Sequence, residues 1–155
     1  MIIPAAAVGA RLVDFGIGFL NLIGLMIYYR VGVAKSIVVL PLVVVLITLL
    51  ALAVGMWATA LNVKYRDVGV MLPVLIQLWM FASPVMYPSS IVPARLQWIY
   101  KLNPTTGILD GFRSALFGRG IDWTALGIST GFTIGLLVYS AYAFRRMEKN
   151  FADVV

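Results

Sequence analysis

The chain has 155 residues, of which 62% are hydrophobic and only 12% charged, with a formal net charge of +6; its mean hydropathy is +0.99. A soluble domain carries about 25% charged residues, and a fold of this size keeps too much of its chain at the surface to hide so apolar a composition from water. A soluble globular domain is therefore excluded, and with no Cys and no His so are disulfides, thiol chemistry and a His-based metal site or general base. The twelve Lys and Arg sit in short gaps between apolar runs, which points to membrane-surface anchoring rather than to nucleic acid.

A membrane span needs about 20 apolar residues. The chain starts apolar almost at once ("MIIPAAAVGARLVDFG"), without the basic segment and cleavage site of a secretory leader, as though sequence upstream were missing. The first expected span covers about 12–29, with 2–10 leading into it; the second, 36–61, is uncharged and long enough to tilt. The third covers about 68–85, and the fourth about 124–144, followed by a tail at 145–155, "RRMEKNFADVV". None of these runs alternates as strands do, and in lipid only helices and closed barrels satisfy their backbone. The expected fold is an all-α integral membrane protein with a single transmembrane domain over 1–155 and four transmembrane helices.

On the first span, Arg11, Asp14, Gly18, Asn21, Leu25 and Tyr28 share a helical face. Ionisable residues at membrane depth face protein or water, so this stripe is either an Arg11–Asp14 pair with an interhelical Asn21 hydrogen bond, or a pore lining. On the third span, Pro73, Gln77, Met80, Phe81 and Pro84 share a face; Gln77 suits either a bond to a neighbouring helix or a polar substrate. Trp79, Phe81, Tyr87, Trp98 and Tyr100 crowd the end of this span and the segment beyond it. Aromatics of this kind either form an interfacial belt or offer faces on which sugars and bases stack.

The segment 84–122 holds four of the seven prolines, Pro84, Pro88, Pro93 and Pro104. Two short re-entrant or interfacial helices are expected there, at about 93–101 and 104–117. Pro93 suits the first turn of one, and Asn103 caps the other, which Gly118 closes. Asp110 and Arg113 are spaced to pair, although Arg113 and Arg119 could instead meet phosphates. Gly127, Gly131 and Gly135 form a small-xxx-small repeat for helix packing, as do Gly107, Gly111 and Ala115. By the positive-inside rule, the tail cations Arg145, Arg146 and Lys149 place the C-terminus in the cytoplasm, with Arg11, Lys64 and Arg66 on the same side. The opposite side carries as many: Arg30, Lys35, Arg95, Lys101, Arg113 and Arg119. No carboxylate pair and no Walker-type phosphate loop occurs, so the chain is not expected to be an enzyme or to bind a cofactor.

The blocks "LNVKYRDV", "QLWMFASPVMYP" and "LNPTTGILDGFRSALFG", together with the tail, resemble the C-terminal part of ABC-2 type transporter permeases. The resemblance is strongest to exporters of polysaccharides and polyol phosphates such as O-antigen, capsule and teichoic acid chains. It implies a homodimeric permease subunit in the plasma membrane, with ATP and Mg held by separate ATP-binding subunits and membrane lipids around it. The substrate it implies is a lipid-linked polysaccharide, and nucleic acid is no partner. The loop Asn62, Lys64, Tyr65, Arg66 and Asp67 would face the ATPase. Gln77, Trp79, Phe81, Tyr87, Trp98, Tyr100 and Arg113 would line the substrate path, with the short helices at the outer mouth of the channel. Members of this family have six spans, so the first two are expected to be missing from this chain. An ABC-2 exporter of drugs or lipids, and a non-transporting scaffold or truncated fragment, remain as alternatives.

Overall fold

The computed structural model describes residues 2–30, 32, 34–65, 67–85, 87, 91–93, 95 and 97–152, with backbone only at 2–5, 64 and 147–152. Every regular element among them is helical: α1 Ile2–Tyr28, α2 Leu40–Lys64, α3 Val68–Ala82, α4 Gln97–Leu102, α5 Pro104–Phe117 and α6 Trp123–Ala152. A 3-10 turn, Lys35–Val39, leads into α2. Among the described residues, three stretches are long and apolar enough to cross a membrane: Ala6–Tyr28, Lys35–Val63 and Trp123–Arg146.

Two boundaries differ from the sequence expectation. The third apolar run is helical only over Val68–Ala82, 15 residues, or roughly 22 Å at 1.5 Å per residue, against the roughly 30 Å of a bilayer core. Ser83 is already extended, with φ −103° and ψ 147°, as expected for a residue whose successor is a proline. The short helix expected at 93–101 begins only at Gln97, with Pro93 outside regular structure. The tail, for its part, continues α6 as helix through Ala152.

The packed centre is the meeting of α2, α5 and α6, with Val43, Leu46 and Leu50 of α2 against Ile108 of α5 and Leu126 of α6. Close approach is possible because the facing residues are small. Gly107 lies directly against the Ala125 carbonyl and Ser129 Oγ, and Gly111 against Leu126 and Val43. Ala115, Ala125, Ser129, Thr133 and Ser140 continue the buried seam. Thr48, Thr59, Thr130 and Thr133 return their hydroxyls to the carbonyl four residues back, which satisfies them within their own helix.

α2 and α6 begin at the same end of the bundle, because Ser36 Oγ contacts the Ser114 and Ala115 carbonyls at the close of α5, each at 3.1 Å. The described residues between Trp79 and Asp122 gather at this end. The turn between α2 and α3 lies at the other, where the Asn62 side chain covers Gly69. α1 touches the bundle more lightly, through an edge-to-face contact of Phe15 with Phe112 at 6.1 Å. It ends at Tyr28, and in the turn that follows Arg30 adopts a left-handed φ of 52°.

Candidate functional site

Where α3 stops, a ring of three polar side chains replaces helical hydrogen bonding. Asn103 Nδ2 donates to Ser83 Oγ at 2.9 Å, Ser83 Oγ lies 2.8 Å from Thr105 Oγ1, and Thr105 Oγ1 donates to Asn103 Oδ1 at 2.6 Å. One proton order, Asn103 to Ser83 to Thr105 and back to Asn103, satisfies all three. Asn103 also caps α5 by accepting from the Thr105 backbone N–H at 3.1 Å, and Trp79 Nε1 donates to the same oxygen at 3.3 Å. Ser83 and Pro84 are almost wholly buried, so the break in α3 is held inside protein rather than left open to lipid.

Arg113, one helix away, completes the frame. Its Nη2 donates to the Val85 carbonyl at 2.9 Å and its Nη1 to the Tyr87 carbonyl at 3.3 Å, with Asp110 Oδ1 3.6 Å from Nη1. The expected Asp110–Arg113 pair is present, but the guanidinium serves mainly two carbonyls that have no helix to satisfy them. Tyr87 Oη donates to the Phe81 carbonyl at 3.1 Å and shares a short hydrogen bond with the Tyr100 hydroxyl. That bond to Tyr100, with some desolvation, pushes the Tyr87 phenol above its ordinary pKa.

Gly118 ends α5 with φ +69°, a conformation that favours glycine, and a Cβ there would press on Ala34. The chain then turns through Arg119 and Gly120 into Asp122, whose Oδ1 accepts the Thr124 and Ala125 N–H groups at 3.1 and 3.0 Å and so caps α6. Its Oδ2 accepts from Lys101 Nζ at 3.0 Å. The Ala125 N–H first, then Lys101, hold this carboxyl below the usual carboxylate range. A cavity of about 380 Å³ opens between α4, α5 and the start of α6, lined among others by Lys101, Asp110, Arg113, Arg119 and Asp122.

Of the residues expected along a substrate path, the structure brings Tyr87, Tyr100 and Arg113 together and ties Trp79 to Asn103. Phe81 and Trp98 are exposed, and Gln77 is exposed with no hydrogen-bond partner among the described residues. In the turn between α2 and α3, Asn62, Tyr65 and Asp67 are exposed. Arg66 lies outside the described residues, as do the Lys64 side chain and Pro88. Gly127, Gly131 and Gly135 each have open space where a Cβ would sit, so their expected partner is not within this chain, whereas Gly107 and Gly111 take close helix contacts inside it. On α1 the Arg11–Asp14 pair forms at 3.1 Å, whereas Asn21 has no hydrogen-bond partner among the described residues.

Sequence reasoning identified Asn103 as a cap but missed its bonds to Ser83, the Lys101–Asp122 pair and the reach of Ser36 to α5. The Asp-Trp-Thr run at the start of α6 carried a capping signal for Asp122. The other links join residues 20 or more positions apart, which no local pattern announces.

The family model described as "ABC-2 type transporter" matches residues 4–117. The chain is 24% identical over 157 residues to the O-antigen export system permease protein RfbA of Myxococcus xanthus, covering 99% of this chain and 60% of that protein. It is 22% identical to two proteins of the same name from Klebsiella pneumoniae, covering 75% of this chain and 45% of each. The chain thus spans about half to three fifths of the length of the curated relatives it matches. With the family model covering residues 4–117 of an all-helical membrane chain, the protein belongs to the ABC-2 type transporter family.

Proposed function

We propose that the chain acts as a permease subunit in the export of a lipid-linked polysaccharide across the bacterial plasma membrane. Membrane subunits of this family are generally not enzymes, so ATP and Mg belong to separate ATP-binding subunits, with two permease subunits forming the pathway. The naming of three relatives as O-antigen export permeases supports the substrate class. In this reading the tail and the 62–67 turn face the cytoplasm and the ATPase. The third crossing is then α3 together with the turn that begins at Ser83, and α4 and α5 sit at the outer mouth.

The observation that carries the reading is the contrast at that mouth between fixed backbone and exposed rings. Ser83, Asn103, Thr105 and Arg113 tie down the chain, while Trp79, Phe81 and Trp98 keep a third or more of their surface exposed. Rings held on a fixed frame offer apolar faces to passing sugars without fastening any one of them by directional bonds. Replacing Trp79, Phe81 and Trp98 by Ala in the assembled transporter is expected to cut polymer export severalfold while leaving subunit assembly unchanged. Unchanged export in correctly assembled complexes would sink the role of the rings. Substrate-stimulated ATPase activity with a glycan rather than with drugs or free lipids checks the substrate class.

A further inference from the structure

The cavity between α4, α5 and the start of α6 is built unlike the aromatic mouth beside it. Nine of its twelve lining residues are polar or charged, and its volume of about 380 Å³ falls at the small end of the roughly 300–1,000 Å³ typical of ligand sites. Three cations line it against two carboxylates. Lys101 is neutralised by Asp122 at 3.0 Å, and Arg113 is committed to Asp110 and to the Val85 and Tyr87 carbonyls. Arg119 alone of the three has no hydrogen bond or ion pair among the described residues. It is set at the rim by the left-handed turn at Gly118 and by the bond from Ser114 Oγ to the Gly120 carbonyl at 3.3 Å. One guanidinium without a partner among the described residues therefore lines the hollow.

Further groups there suit a hydroxylated ligand. Asp110 pairs with Arg113 through Oδ1 only, leaving Oδ2 to accept. Gln97 donates through Nε2 to the Val92 carbonyl, leaving its oxygen to accept. Thr106, also in the wall, is almost fully buried with an unpartnered hydroxyl. A guanidinium matches phosphate oxygens with a fork of parallel N–H donors, and free acceptors nearby match hydroxyls. Both carboxylates are already paired with cations, so the hollow is not arranged for a metal ion.

We propose that this cavity binds the phosphate of a small polyol phosphate, with Arg119 as the anion-binding residue and Asp110 and Gln97 accepting from polyol hydroxyls. The site lies at the end of α6 opposite Arg145 and Arg146, where helix ends meet the headgroup region, so the phosphate can come from a glycerophospholipid headgroup or from a free polyol phosphate. It does not depend on which cargo the transporter moves.

The test uses the full chain in its assembled transporter, in nanodiscs of phosphatidylcholine, titrated calorimetrically with sn-glycerol 3-phosphate and with glycerol as the uncharged control. Binding is expected for the phosphate and not for glycerol. It should weaken about tenfold or more in Arg119→Gln, the size of one lost charged hydrogen bond, less in Arg119→Lys, and not at all in Arg145→Gln. In a second arm, discs containing phosphatidylglycerol are compared by native mass spectrometry. Retention of that lipid by the unaltered chain but not by Arg119→Gln, with loss of glycerol phosphate binding, assigns the site to the headgroup. Glycerol phosphate binding that persists in those discs assigns it to a free polyol phosphate. The proposal is overturned if neither probe is retained, or if Arg119→Gln retains them as the unaltered chain does. Neither arm measures export, so the outcome is separable from that of the export reading.

Discussion

α1 and α6 are both long enough to span, yet they live in different surroundings. Only 6% of the Ala6–Tyr28 span is buried within the chain, against 28% of Trp123–Arg146. The difference lies in side-chain size and placement rather than in hydropathy, which is similar for the two at 1.6 and 1.4. α6 meets α5 through Ala125 and Ser129 facing Gly107, so the two backbones come close. α1 offers Phe15 and Phe19 as its principal ring contacts and leaves Gly9, Gly16, Gly18 and Gly24 facing open space. In a membrane, where lipid tails are as apolar as leucine, small residues aligned with a partner decide which helices pack.

Breaking that seam should have the largest effect. Gly107→Leu forces a side chain into the Ala125 carbonyl and Ser129, and overpacking of this kind costs about 3 kcal/mol; a thermal melt in detergent is expected to show a large loss, and an unchanged melt would dismiss the seam as the organising contact. Asn103→Ala removes a cap and the hub of the Ser83–Thr105 ring, for an expected loss of about 2 kcal/mol and faster hydrogen exchange at Thr105 and Thr106. Gly131→Ala tests the comparison from the other direction. With open space at its Cβ, this helical glycine should gain up to about 1 kcal/mol in the isolated chain, the opposite sign to Gly107. A loss would mean that Gly131 packs against another helix.

The smallest effect is electrostatic. The Asp122 carboxyl is held low by the Ala125 N–H and by Lys101. Its contribution is therefore present above the unfolded carboxylate pKa of about 4 and lost as pH falls through the lower folded value. Asp122→Asn should cost a little stability at neutral pH, small because the group is mostly solvated, and its difference from the unaltered chain should close as the pH falls through that range, flattening the acidic limb.

Composition and apolar run length were enough to read an all-helical membrane protein, and the caps at Asn103 and Gly118 were legible because each acts within a turn of its own residue. The end of α3 was overestimated by three residues because hydropathy continues through Val85, while the conformation changes at Ser83, ahead of Pro84. The start of α4 was placed at Pro93 on a local preference that proline does have, but the chain turns helical only at Gln97. Two glycine repeats with the same spacing looked equivalent. Which of them meets a neighbour depends on the rotation of each helix about its axis, and that is set by contacts far away in sequence. The aromatic cluster was recognisable as a group, but not its division into the joined Tyr87–Tyr100 pair and the exposed Phe81 and Trp98, which is decided by hydroxyl partners rather than by ring spacing.

The grip of Arg113 on the Val85 and Tyr87 carbonyls has a mechanical consequence. The chain at Val85 and Tyr87 is held by a residue on α5, so it behaves as an arm mounted on that helix and not as a hinge of α3. Any tilt of α5 against the seam at Gly107 would be passed through these two hydrogen bonds to the peptide groups they hold. Movement deep in the bundle and the position of the aromatic edge are then geared together.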